Sequence, residues 1–138
     1  MNDQGGRFAA FVLRVVLGLC FTLHGLQKVF GLFDGPGLTG FADHYALIGI
    51  GPVWFAYLVA FGELLAGIAL ILGMFHRAAA LVIIALMAGA IIAVSGKNGY
   101  FEHKDGFEYD LALIALAVGV FTFGPGSWAY EINKKRRS

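Results

Sequence analysis

Four apolar runs, at about 8–28, 53–73, 78–95 and 109–124, alternate along the chain with short segments rich in glycine, proline and charge. A bilayer core of ~30 Å takes roughly 20 helical residues, so each run is about the length of one crossing. The pattern predicts an all-α membrane protein, a four-transmembrane-helix bundle. Gly31, Gly35-Pro36-Gly37 and Gly51-Pro52 punctuate the first connection, and Gly124-Pro125-Gly126 closes the fourth run. His76-Arg77 is expected to form the tight turn before the third run, with Gly96 and Gly99 following it. Between the first two runs, Leu38, Phe41, Ala42, Tyr45 and Ile48 recur at helical spacing. This predicts a short interfacial helix over about 38–48 in the first outer loop, or else an ordered loop capping the bundle.

Composition agrees with that pattern. The 138 residues suit a single domain, and 59% hydrophobic against 14% charged is far from the soluble balance. A net charge of +1 gives no reason to expect nucleic acid as a partner. The basic residues gather in the tail, 129–138, as Lys134-Lys135-Arg136-Arg137. Arg7, Arg77 and these four fall on one side, and Lys28, Lys97 and Lys104 on the other. The excess predicts a multi-pass protein of the inner (cytoplasmic) membrane with both termini inside and the tail cytoplasmic. Trp54 and Trp128 then fall at opposite interfaces. Arg14 interrupts what would be the apolar core of a signal peptide, so the first run is expected to remain as a membrane helix. Cys20, the single cysteine, reads as a buried, inert thiol.

Arg14 and Glu63 lie inside apolar runs, where a charge costs a few kcal/mol, about 2.5–3.5 on the insertion scale. With both runs centred in the bilayer, the two charges differ in depth by ~6 Å. An Arg14–Glu63 ion pair locking the bundle is the structural expectation; the functional one is that both line a polar ligand pocket. His24 and Lys28 fall within roughly 80° of Arg14 around the first helix, and Glu108 and Tyr109 open the fourth run at the same outer level. Taken singly, Lys28 reads as a snorkelling residue, His24 as a satisfied core histidine and Glu108 with Asp110 as a helix cap. Taken together, Arg14, His24, Lys28, Glu63, Glu108 and Tyr109 are candidate ligand-binding residues around one pocket. A Lys28–Glu108 salt bridge would satisfy part of that set. The second run also carries small residues (Ala56, Ala60, Gly62, Ala66, Gly67) suited to close helix packing. No metal site is expected: Glu102, His103 and Asp105 lack paired ligand spacing. Nor is any self-contained catalytic motif visible.

The ordered set R14-V-V-L-G18, H24-G-L-Q-K28, F30-G-L-F-D-G35-P-G37-L-T-G40, E63-L-L-A-G67-I-A-L-I-L-G73 with R77-A-A-A, G106-F-E108-Y109-D-L-A-L and G124-P-G126 resembles the DoxX family of small bacterial membrane proteins over about 7–127. The resemblance implies a four-helix membrane protein linked to oxidoreductase systems, with relatives in thiosulfate:quinone oxidation, sulfur metabolism and oxidative-stress defence. Ser127-Trp128-Ala129 departs from the Ser-Leu-Asp-like ending of many relatives. Three functions stand open from the residues: a membrane redox subunit that binds a quinone or another small apolar redox partner and relies on a partner protein, a small transporter, or a non-catalytic assembly subunit. A thin bundle of this size also points to a homo-oligomer or a heteromeric complex.

Overall fold

The computed structural model describes residues 4–130, and over this range it is all-helical. Helix α1 spans Gln4–Phe30, α2 Gly37–Leu47, α3 Val53–Leu72, α4 His76–Ala90 and α5 Glu108–Phe123. Beyond Ala90 the α4 helix runs on through a π-helical turn, Ile91–Ser95, and a 3-10 turn, Gly96–Asn98. Three stretches are long and apolar enough to cross a membrane: Gln4–Phe30, Val53–Leu72 and His76–Asn98. The basic cluster at 134–137 lies outside the described residues.

The turn before α4 is not made by His76-Arg77, which are its first residues. It is made by Gly73 at φ 76°, which ends α3 in the left-handed conformation, and Phe75 at φ 49°. Arg77 instead lies over the Phe121 ring at 5.7 Å.

Helices α1 and α3 run antiparallel and form the most extensive contact in the bundle. Glycine makes this approach possible. A Cβ on Gly25 would sit 2.6 Å from the Leu64 Cα, and one on Gly67 would collide with the Thr22 backbone nitrogen. The two backbones therefore touch directly, as small residues permit in membrane helix pairs. Helices α4 and α5 complete the main core with Leu17, Phe21, Leu70, Ile83, Leu113 and Val120. A second cluster forms where α2 lays Phe41 and Ala42 over Val29 of α1 and Ala56 and Ala60 of α3. The bundle thus has a tail end, where α3 and α5 finish, and a loop end, where α2 and the 96–107 connection lie.

Candidate functional site

The two charges expected to pair are at opposite ends of the bundle. Arg14 is completely buried at the tail end and binds only carbonyl oxygens. Its Nη1 donates to Leu70 O at 2.6 Å and Ile71 O at 2.9 Å, Nε to Pro125 O at 2.7 Å, and Nη2 to Ser127 O at 3.0 Å. Leu70 O also accepts from the cap Gly73 N–H at 3.1 Å, Ile71 O lies in the last turn where carbonyls run out of partners within the helix, and a cation at that end meets the negative pole of the helix dipole. The same guanidinium holds down the segment after α5. Ser127 N donates to Arg7 O at 3.2 Å, Tyr130 N to Leu72 O at 2.9 Å, and Trp128 packs edge-on against Phe11 at 4.9 Å. Gly124-Pro125-Gly126 is therefore a fold-back as well as a stop, clasped by Arg14.

The expected Arg14–Glu63 ion pair does not form, and the reason is stagger. Gly25 faces Leu64 and Gly18 faces Gly67 and Ile71, so Glu63 lies level with the region of Gly25. Arg14 is about ten residues away along α1, roughly 15 Å at 1.5 Å per residue. Glu63 pairs instead with Lys28, whose Nζ donates to both carboxylate oxygens at 2.7 and 2.8 Å. Only 4% of the Glu63 side chain is exposed, against 24% for Lys28, which also sits 4.9 Å from the centre of the Phe41 ring. The Lys28–Glu108 bridge is likewise absent. Glu108 accepts from the Glu102 backbone N–H at 3.1 Å, tying down the 96–107 loop.

Beside the Lys28–Glu63 pair, a half-open cavity of about 170 Å³ lies among α1, α2, α3, α4 and α5. Of the six residues singled out in the sequence, His24, Lys28, Glu63 and Tyr109 line it; Arg14 and Glu108 do not. His24 Nδ1 lies 2.8 Å from Cys20 O; a carbonyl only accepts, so Nδ1 carries the proton and donates. In the neutral ring Nε2 is then the acceptor, and on protonation it becomes a donor. Cys20 is not the inert buried thiol expected. It is partly exposed on the cavity wall, with Sγ 2.8 Å from Tyr109 Oη. The sequence did hold a signal for it: Cys20, His24 and Lys28 follow one another at four-residue steps, which places them on one helical stripe.

Two further wall residues were missed as site members. Tyr45 reaches in from α2, and burial with the added charge of Glu63 pushes its hydroxyl up to about 12, so at neutral pH it stays protonated and able to donate. Asp110 accepts from Ser95 Oγ at 2.7 Å, which fastens the π-helical turn to the start of α5. Asp110 thus makes a tertiary contact, and no side chain caps α5. The cavity combines donors (Lys28, Tyr45, Tyr109), two carboxylates (Glu63, Asp110) and an imidazole with Phe21, Val59, Leu86 and Leu113 around them. Such a wall suits a small flat ligand carrying hydrogen-bond acceptors.

The DoxX family model matches residues 9–96, well over half of the chain. The chain belongs to the DoxX family. This DoxX protein is 30% identical over 118 residues to "Putative oxidoreductase CatD" of Bacillus subtilis (strain 168), covering 86% of this chain and 82% of that relative. It is 27% identical over 137 residues to "Uncharacterized membrane protein Rv3486" of Mycobacterium tuberculosis (strain ATCC 25618 / H37Rv), with 91% and 81% of the two chains covered. No solved structure matches it with significance. Family and helix hydropathy together make it a membrane protein in contact with the lipid bilayer.

Proposed function

We propose that this DoxX protein is the membrane subunit of a redox system and binds the ring of a quinone in the polar cavity. The observation that carries this reading is the convergence of His24, Lys28, Glu63 and Tyr109 on one cavity of about 170 Å³. An apolar cavity of about 150 Å³ holds one benzene ring, so the volume suits a single substituted ring. Tyr109 Oη and Lys28 Nζ are placed to donate to the ring carbonyls. Reduction of quinone to hydroquinone takes two electrons and two protons; the protons come from water through the half-open cavity, His24 Nε2 and the Glu63 carboxylate each taking one up before passing it to a ring oxygen. The electrons are supplied by a partner protein that carries the redox centre. The name of the Bacillus relative, an oxidoreductase, supports the same class.

The remaining architecture is read with it. Helix α5, sixteen residues and so ~24 Å long, packs on α4 and α1 as the fourth crossing. Helix α2 lies at the outer interface. With Lys28 engaged by Glu63, the described residues put Arg7 and Arg77 at the tail end, from which the chain continues into the basic sequence 134–137, against Lys97 and Lys104 at the loop end. This supports both termini on the cytoplasmic side of the inner membrane.

Cys20, the single cysteine, reports directly on the site. N-ethylmaleimide is expected to alkylate it in the purified protein, and a fully substituted benzoquinone, which offers no free ring carbon to a thiol, is expected to slow that alkylation at least fivefold. Mass spectrometry of the intact chain reads the modification. An unchanged rate at saturating quinone would place the ligand elsewhere or nowhere.

A further inference from the structure

Next to the polar cavity is a second hollow of about 310 Å³, open towards the lipid between α3 and α4. The two share Tyr45, Val59, Leu86 and Ala90 in their walls, so they adjoin one another. Their chemistry differs sharply. Apart from the Tyr45 hydroxyl, every side chain on the second wall is apolar, and Ala85, Gly89 and Ala93 leave the outer face of α4 and its π-helical turn bare. A neighbouring helix of this chain does not cover that face: Ala85, Gly89, Ile92 and Ala93 are all exposed.

We propose that this groove receives the first isoprenoid units of a lipid quinone whose ring occupies the adjoining polar cavity. The ligand then enters sideways from the membrane, between α3 and α4, ring first. The inference rests on the quinone reading and narrows it to a tailed, membrane-dissolved quinone. Three observations carry it. The groove adjoins the polar cavity across Tyr45, Val59, Leu86 and Ala90, so one molecule with a polar ring and an apolar chain fills both once the Tyr45 or Leu86 side chain turns aside. Its volume is about twice that of a cavity that holds benzene, enough for roughly ten to twelve carbons, or about two isoprene units. It faces lipid, where an apolar tail already resides and pays no desolvation cost on leaving the bulk membrane. Because lipid and groove are both apolar, the gain comes from packing against a preformed wall.

Gly89 allows a clean test. It lies within α4 at an exposed position, and a Cβ there meets nothing within 4 Å. Gly89→Leu fills the groove without disturbing a contact, and leucine favours helix more than glycine does. Binding of two benzoquinones with the same substituted ring, one without a tail and one with two isoprene units, is measured on the full chain in lipid nanodiscs. Wild type is expected to bind the tailed form roughly tenfold tighter or more. Gly89→Leu is expected to reduce it to the tail-less level while leaving the tail-less ligand unaffected, and Ala93→Leu on the same face to do likewise. Equal affinities for the two ligands in wild type, or a loss of both in the variants, overturns the tail groove and leaves the ring site standing. So does displacement of the tailed ligand alone by raising the phospholipid content, which would assign the groove to acyl chains. Failure of wild type to bind either ligand overturns the ring site and the groove together.

Discussion

Replacing Arg14 with alanine is expected to lower stability by about 3 kcal/mol or more, because a hydrogen bond to a charged group contributes roughly 1.5–3 kcal/mol and four carbonyls lose their bond to the guanidinium at once. Two of those carbonyls end α3 and two belong to the segment folded back after α5. The loss therefore loosens three chain segments that Arg14 ties at one point, leaving them joined by the Ser127–Arg7 and Tyr130–Leu72 backbone bonds. Arg14→Lys is expected to recover only part of the stability, since one ammonium cannot reach carbonyls that a planar fork serves from three nitrogens. Unfolding of the purified protein in mild detergent, followed by far-UV circular dichroism, measures both. Combining Arg14→Ala with Glu63→Ala should give additive losses, within about 0.5 kcal/mol, as befits sites at opposite ends of the bundle. Strong coupling between them would restore the ion pair that the stagger of α1 and α3 rules out.

Lys28→Met is expected to destabilise by about 3–5 kcal/mol, the usual consequence of leaving one member of a buried pair without its mate. Glu63→Gln should cost less, roughly 1–3 kcal/mol, and the asymmetry follows from exposure. Glu63 is only 4% exposed, on a short side chain held mid-helix, whereas Lys28 is 24% exposed, lies in the last turn of α1 and rests over Phe41. A lysine so placed can turn its ammonium towards the interface. The double replacement Lys28→Met with Glu63→Met is expected to lie closer to wild type than Lys28→Met does, because well-packed apolar pairs replace buried ion pairs with little loss. A double change that costs the sum of Lys28→Met and Glu63→Met measured singly would show that Lys28 and Glu63 do not act as a pair.

How far the sequence revealed this arrangement depends on which physical quantity each feature needs. Hydropathy over about 20 residues is a local sum, so the helices at Gln4–Phe30, Val53–Leu72 and His76–Asn98 were legible, as was a helix near 38–48. The register between two helices is not local. Centring each apolar run in the bilayer put Arg14 opposite Glu63, while the real register is set by where Gly18, Gly25 and Gly67 let backbones touch. Those glycines were visible in the sequence, but their pairing was not. Arg14 was rightly singled out as a charge needing compensation, yet its partners are backbone carbonyls, which leave no mark in a side-chain alphabet. Cys20 was misread because the thiol was judged alone, although its four-residue spacing to His24 and Lys28 carried the information. Tyr45 and Asp110 come to the cavity from α2 and α5, and only tertiary packing could bring them there.

In the proposed function, His24 and Tyr109 help hold a quinone ring in the cavity beside Lys28 and Glu63. Equilibrium titration of a substituted benzoquinone against the purified protein tests it most directly, with His24→Ala, Tyr109→Phe and, as an off-cavity control, Glu108→Gln. Saturable binding to wild type is expected, weakened about five- to thirtyfold by each of the first two changes, the equivalent of one lost hydrogen bond of about 1–2 kcal/mol, and unchanged in Glu108→Gln. No saturable binding by wild type, or equal binding by all four folded proteins, would contradict it.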